Sequence, residues 1–481
     1  MKLDEYAKFD ALGLAELVRA GDVTPRELAA TALEAIEAVN PELNAVVEVY
    51  RDRIDDLDDD SLAAGPMCGV PFLMKDTGAF MAGRKTEWGS RLCRGNTATE
   101  DAFFVRLLKA SGINILGRTN VPEFCIAGTT ENLLYGNTSN PWRAGYSAGG
   151  STGGGAAAVA AGIVPMAHGS DIGGSIRIPA AWCGGVGLKP SRGRVSVGPA
   201  LDESGFGMAQ HFVQTRTVRD AALMLDILGQ PQPGDPYVIA QPEPSFREQA
   251  AAKFGTQRIA FSTRHLTSHP VHPEVADATE KVAAALENMG HQVEEAAPPY
   301  VADKVMDAFQ CVWFFGYHRV FDGFAAKLGR EVGPDTLEPV TLAIYEASRR
   351  MDPYRFLDGL AYLNGVRRDF GSFFRNYDVW LTPTAAQPSE PHGLYHQNQP
   401  GLSVEEFIWL SEKPVQFTVP YNVTGLPAIS LPLAETADHL PIGIQFGSRH
   451  AEEGRLLALA ASLEQALPWQ DRIPPVHVSR V

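Results

Sequence analysis

Cysteine is scarce and unpaired in pattern: Cys68, Cys93, Cys125, Cys183 and Cys311 are odd in number and never stand as Cys-x-x-Cys. A disulfide framework and a cysteine zinc site are both argued against, and no metal or cofactor is expected. Positive charge is also short, with 41 Lys and Arg against 57 Asp and Glu and a net charge of −16. Nucleic acid is therefore a poor partner, because its affinity comes from clustered cations. No apolar run is long enough to cross a bilayer. Met1 to Tyr50 holds no apolar run flanked by basic residues, so no leader or membrane anchor is expected and the cytoplasm is the expected location. The glycine-rich run at 149–155 lacks Gly-x-x-x-x-Gly-Lys and a downstream ribose-binding acid, which argues against a phosphate-cradling loop.

What is present is a globular composition, 45% hydrophobic and 20% charged over 481 residues. Thr24-Pro25-Arg26-Glu27 reads as a capping box opening a helix that Asn40-Pro41 should stop. The acidic cluster Asp55, Asp56, Asp58, Asp59 and Asp60 reads as a solvated face or loop. From residue 65 short apolar strands alternate with helices: a strand over 69–74 ending at Lys75, a helix over 101–111, and a strand over 113–117. A small-residue helix over 156–161 and a strand over 163–167 follow. Later strands are expected at 258–262, 292–295 and 378–381, with a helix over 273–289, a hairpin from 428–433 and 441–446, and a closing helix over 454–467. Such alternation predicts an α/β fold with a sheet covered on both faces. No internal repeat or linker divides the chain. One domain over 1–481 is expected, with a helical N-terminal layer to about residue 64, a core over 65–230, a mostly helical region over 235–376, and a return to the sheet over 377–470. The aromatics Phe309, Trp313, Phe314, Phe315, Tyr317 and Phe321, with Cys311 among them, are expected partly in the core and partly around a substrate cavity, and 387–400 is expected as a loop over the site.

Two glycine pairs each precede a serine, Gly149-Gly150-Ser151 and Gly173-Gly174-Ser175, so two hydroxyls stand beside unshielded backbone. Consecutive N–H groups at such turns can hold a developing oxyanion. Upstream runs Gly69-Val70-Pro71-Phe72-Leu73-Met74-Lys75-Asp76. The spacing is 76 positions from Lys75 to Ser151 and 24 from Ser151 to Ser175. These three parts, in this order, resemble the amidase signature family of serine hydrolases, whose marks are Gly-Gly-Ser-Ser-Gly-Gly, Asp-x-Gly-Gly-Ser-Ile-Arg-x-Pro and an upstream Gly-Val-Pro-x-x-x-Lys-Asp. One departure is Thr152, where the family usually has serine; a hydroxyl is kept.

The resemblance implies a mixed sheet in an α/β/α sandwich and a relay in which Ser175 attacks a carbonyl, Ser151 takes its proton, and neutral Lys75 takes the proton of Ser151. It also implies a cis peptide before Ser151 and an oxyanion hole from the N–H groups of Ile172, Gly173, Gly174 and Ser175. Thr152, Asp171 and Arg177 are expected to brace the loop, and Cys125, Ile126, Ala127 and Cys311 to touch substrate. An unperturbed lysine, with a pKa of about 10.4, is almost wholly protonated near neutrality. Burial among neighbours such as Phe72, Leu73 and Met74 would lower it. His168 is read as structural. The expected activity is hydrolysis of a small apolar or aryl amide, with esters, carbamates or cyclic amides as further substrates, and a homodimer is common among relatives. The alternative within the family is the amidase subunit of a glutamine-dependent tRNA amidotransferase. There the Ser-Ile-Arg is usually followed by glutamine, whereas this chain has Ile178. A non-catalytic binding protein on the same fold is the second alternative. The run 417–430 and the Leu467-Pro468-Trp469 ending resemble bacterial amidases of the family.

Overall fold

In the computed structural model, which describes residues 1–264 and 266–481, one sheet organises the molecule. Its strands are β1 (Val46–Val49), β2 (Pro71–Lys75), β3 (Asn114–Thr119), β6 (Met166–Asp171), β7 (Val186–Lys189), β8 (Gln210–Thr215), β9 (Arg258–Phe261), β10 (Gln292–Glu295), β11 (Val379–Pro383), β12 (Ala428–Glu435) and β13 (Pro441–Gly447), while β4 (Ser139–Asn140) and β5 (Arg143–Ser147) form a separate ribbon. The order across the large sheet is β1-β3-β2-β6-β8-β7-β12-β13-β11-β9-β10. β3, β2 and β6 run parallel, as do β11, β9 and β10, and the strands between them are antiparallel. The mixed α/β fold is therefore as the sequence pattern predicts.

Strands buried on both faces read as apolar runs. Phe72, Leu73 and Met74 of β2 and Ile115 and Leu116 of β3 are all buried, as are Ile429, Leu431, Ile444 and Phe446 of the β12–β13 hairpin. The helices Phe103–Ala110, Gly153–Ala160, Val218–Leu228 and Glu453–Ala466 pack around this sheet. A roof of five helices, Ala302–Phe314, His318–Leu328, Pro339–Ser348, Pro353–Phe373 and Val404–Val415, carries two further apolar clusters.

Two local expectations fail. The helix opened by Thr24 has its reciprocal cap with Glu27 but runs from Pro25 through Pro41 to Leu43. A proline in the last turn removes only one backbone bond. The stop comes at Asn44, whose φ of 50° is left-handed and whose N–H donates to Asn40 O. The strand expected over 163–167 begins instead at Met166 and extends to Asp171. That shift matters, because it carries the strand into the second glycine motif.

Candidate active site

β2 and β6 are parallel neighbours, with Phe72 opposite Met166 and Leu73 opposite Ala167, so their C-terminal ends open on the same edge of the sheet. Ligands in α/β sheets gather at such edges. Lys75 ends β2 and Asp171 ends β6. The loop bearing Ser151 lies over them, between β5 and the helix Gly153–Ala160. The Thr130 hydroxyl holds that loop at both sides, donating to Gly149 O at 2.8 Å and accepting from Gly153 N at 3.1 Å. The Gly150–Ser151 peptide is cis. A side chain at Gly150 would strike backbone, since a Cβ there would lie 2.5 Å from both Thr129 N and O.

Lys75 is 2% exposed, and its Nζ sits among four oxygens: Ser151 Oγ at 2.8 Å, Thr152 Oγ1 at 2.9 Å, Ser170 Oγ at 3.0 Å and Ser170 O at 3.3 Å. An ammonium has three hydrogens to give, whereas a neutral amine gives two and accepts one. The four oxygens can take all three hydrogens of the ammonium or the two of the neutral amine, and Lys75 Nζ donates to Ser151 Oγ. Burial brings the Lys75 pKa down to about 8, against the opposing pull of Cys125 and Asp171. Asp76, its neighbour in sequence, turns away into a buried ion pair with Arg118 at 2.8 Å.

Beneath Lys75 is a histidine pair. His168 Nδ1 accepts from the Lys75 backbone N–H at 3.3 Å, and His168 Nε2 lies 2.9 Å from His211 Nδ1. Since Nδ1 of His168 accepts, its Nε2 carries the hydrogen and donates to His211. Burial first, then the neighbouring charges, pushes the His168 pKa well below the ordinary value and that of His211 to about 3. Both rings are neutral and act as props for β2, consistent with a structural role for His168.

The second motif is anchored by Asp171 and Arg177, both side chains fully buried and 2.9 Å apart. Asp171 Oδ1 accepts from Gly174 N at 2.8 Å and Oδ2 from Ile176 N at 3.1 Å. Arg177 also donates to Thr418 O, Gln445 Oε1 and Asn422 Oδ1 at 2.9, 2.8 and 2.7 Å. Burial alone would raise the Asp171 pKa, but Arg177 and Asn422 outweigh it and hold the carboxyl far below the usual range. Arg177→Met leaves that carboxylate buried without its countercharge and is expected to cost about 3 to 5 kcal/mol of stability, read as a lowered urea midpoint.

This network corrects one expectation. Gly174 N–H is spent on Asp171 and does not face a ligand. The N–H groups of Ile172, Gly173 and Ser175 have no protein acceptor among the described residues. Gly174 itself has φ of 132°, and a Cβ there would lie 2.4 Å from Thr418 Oγ1. Thr418 Oγ1 in turn donates to Gly173 O at 2.6 Å and fixes the loop from the roof side.

Two cavities meet at this edge. A narrow one of about 50 Å3 is lined by Ser175, Cys125, Ile126, Ala127, Phe309 and Trp313, among others. A wider one of about 430 Å3 is lined by Ser151, Thr77, Trp88, Phe206, Phe315 and Tyr317, among others. Cys125, Ile172 and Trp313 belong to both. Ser175 is 9% exposed, and its hydroxyl makes no hydrogen bond among the described residues. The Cys125 thiol stands beside Lys75 and Ser151, and burial raises its pKa.

Cys311 does not belong with the others. In the helix Ala302–Phe314 the residues facing the narrow cavity are Met306, Phe309, Gln310, Trp313 and Phe314, at helical spacing. Cys311 falls off that face and lines neither cavity. Phe321 is a fully buried core residue. The 387–400 segment also lines neither cavity; it packs on β5, with Ser147 N donating to Glu390 O at 2.9 Å. Sequence reasoning missed Ser170, whose signal was its place next to Asp171, and Thr418, which carried no local signal.

Known proteins with this arrangement identify its class. The family model Amidase matches residues 27–457. The 6-aminohexanoate-cyclic-dimer hydrolase of Paenarthrobacter ureafaciens is 35% identical over 479 residues, covering 97% of this chain and 96% of that protein. An acylamidase of Rhodococcus erythropolis is 35% identical over 476 residues, covering 96% of each. The structure of a 6-aminohexanoate cyclic dimer hydrolase complexed with substrate superimposes with a TM-score of 0.91 at 34% identity, covering 98% of this chain and 99% of that one. The chain belongs to the amidase family. It is a hydrolase of carbon–nitrogen bonds other than peptide bonds. Among the described residues no helix is long and apolar enough to cross a membrane.

Proposed function

We propose that this enzyme cleaves small apolar or aryl amides, cyclic amides included, through an acyl-enzyme built on Ser175. The observation that carries the reading is the buried Lys75 amine in hydrogen-bond contact with Ser151, together with Ser175, whose hydroxyl makes no hydrogen bond among the described residues and which lines the narrow cavity with Gly150, the residue before Ser151. Ser175 Oγ attacks the carbonyl carbon as its proton passes to Ser151 Oγ and the Ser151 proton passes to Lys75 Nζ. Negative charge on the former carbonyl oxygen is met by N–H groups from Ile172, Gly173 and Ser175, whose acceptors are vacant. Return of the proton through Ser151 to the nitrogen breaks the C–N bond and frees the amine. Water, deprotonated by the same relay, then attacks the Ser175 ester and releases the acid. Lys75 is regenerated neutral at the end of each half-reaction, so proton and charge balance.

The division of the cavities supports a matching division of the substrate. Ser151 must hand its proton to the departing nitrogen, and Ser151 lines the wider, aromatic cavity. The amine half therefore belongs there, and the acyl half in the narrow cavity lined by Ser175.

The test is the pH dependence of kcat/KM on an anilide. Lys75 works as its neutral form and its pKa lies at about 8. Activity rises about tenfold per pH unit below that value and levels above it. A rate constant flat from pH 5 to pH 9, in those assay buffers, would remove lysine from the relay.

A further inference from the structure

The narrow cavity is apolar around Ser175, with Ile126, Phe309, Trp313, Phe407 and Val415 on its walls, but three polar side chains also face it: Gln310, Ser411 and Glu412. They come from two roof helices, Gln310 from Ala302–Phe314 and the others from Val404–Val415. The Ser411 hydroxyl is buried and has no hydrogen-bond partner. Glu412 makes neither a hydrogen bond nor an ion pair through its carboxyl group among the described residues. The neighbouring cation is not available to it, since Lys413 is paired with Glu390 at 2.5 Å. A carboxyl group in an apolar slot without a countercharge is costly to keep ionised. Burial first, and Asp303 second, accordingly raise the Glu412 pKa to about 7. Asp303, near enough to act on Glu412 but not on the cavity wall, likewise has no salt-bridge partner among the described residues.

Unpaired polar groups grouped in a substrate cavity fix orientation and specificity. We propose that Glu412 selects the acyl half of the substrate by receiving an ammonium group at its far end, with Ser411 and Gln310 accepting the remaining hydrogens, so that ω-aminoacyl amides are favoured over alkanoyl amides of equal length. An ammonium supplies the missing countercharge, whereas a methyl group leaves the carboxyl to be desolvated for nothing. Aromatic walls from Phe309, Trp313 and Phe407 are compatible with the same cation. The assignment of this slot to the acyl half rests on the function proposed above.

Binding separates the two ideas, because it needs no turnover. In Ser175→Ala protein, calorimetry with ω-aminoalkanamides and with alkanamides of the same chain length should show a preference of about tenfold for the amino series. Adding Glu412→Gln should bring the ratio to within about twofold, and Glu412→Leu should invert it. Gln310→Leu, on the opposite helix, should reduce the ratio by a smaller factor and guards against a misfolded Glu412 variant. Equal affinities in the parent, or a tenfold ratio that survives Glu412→Gln, would overturn the proposal. Hydrolysis that persists in the Ser175→Ala protein while the binding ratio is intact would count against the acyl-enzyme reading instead.

Discussion

Ser175→Ala is expected to lower kcat for amide hydrolysis by about a millionfold and to abolish covalent labelling by a fluorophosphonate. Its hydroxyl is the only group in the proposed relay that forms a bond to carbon, so nothing nearby substitutes for it. The Cys125 thiol borders the same cavity, but burial raises its pKa and disfavours the thiolate. Folding should be little affected, because the Ser175 hydroxyl makes no hydrogen bond among the described residues. Mass spectrometry of the intact labelled protein checks the result: an adduct that persists in the alanine variant would show the reagent on another residue. Ser151→Ala should behave differently. It interrupts the relay but leaves the attacking oxygen, so slow labelling should remain.

Lys75→Met is expected to reduce kcat by about 10^3 to 10^4-fold, the scale of a positioned general base, and to erase the rise in activity near pH 8. Stability should hold or increase. A wholly buried amine carries a desolvation cost that a thioether of similar length does not, although Ser151, Thr152 and Ser170 lose a hydrogen-bond partner. Residual activity with an unchanged pH profile would assign the base elsewhere. Urea unfolding of the same variant separates a chemical loss from a structural one.

The readability of this molecule from its sequence divided along physical lines. Lys75 ends a strand that the run Phe72-Leu73-Met74 discloses, whereas the strand that ends at Asp171 holds no such run and its bounds were not legible. Contact between Lys75 and Ser151, 76 positions apart, follows from parallel pairing of β2 with β6 and the loop above them. Three features needed coordinates. Gly174 looks like its neighbours in sequence, and only the direction of the Asp171 carboxylate reveals that its N–H is occupied. Cys311 sits among cavity aromatics in sequence but off their face in space, because the phase of a helix depends on where it starts. Glu412 belongs to a capped amphipathic helix, where an acidic residue is ordinarily solvated; its place on the cavity wall, half-buried, depends on the helix 302–314 that lines the same cavity.

On this reading the proposed relay is held by the sheet edge and its adjoining loops, while much of what would contact the substrate hangs from separate helices above it. Reactivity and selectivity are thereby set by different parts of the polypeptide. Exchanging the 302–415 stretch between relatives should redirect which compounds are consumed while leaving the bond-breaking apparatus in place. Conversely, because Arg177 ties the turn that carries Ser175 to Thr418, Asn422 and Gln445, drift at that position would cost both stability and the geometry of that turn, and new substrate ranges would be found more readily by altering the roof.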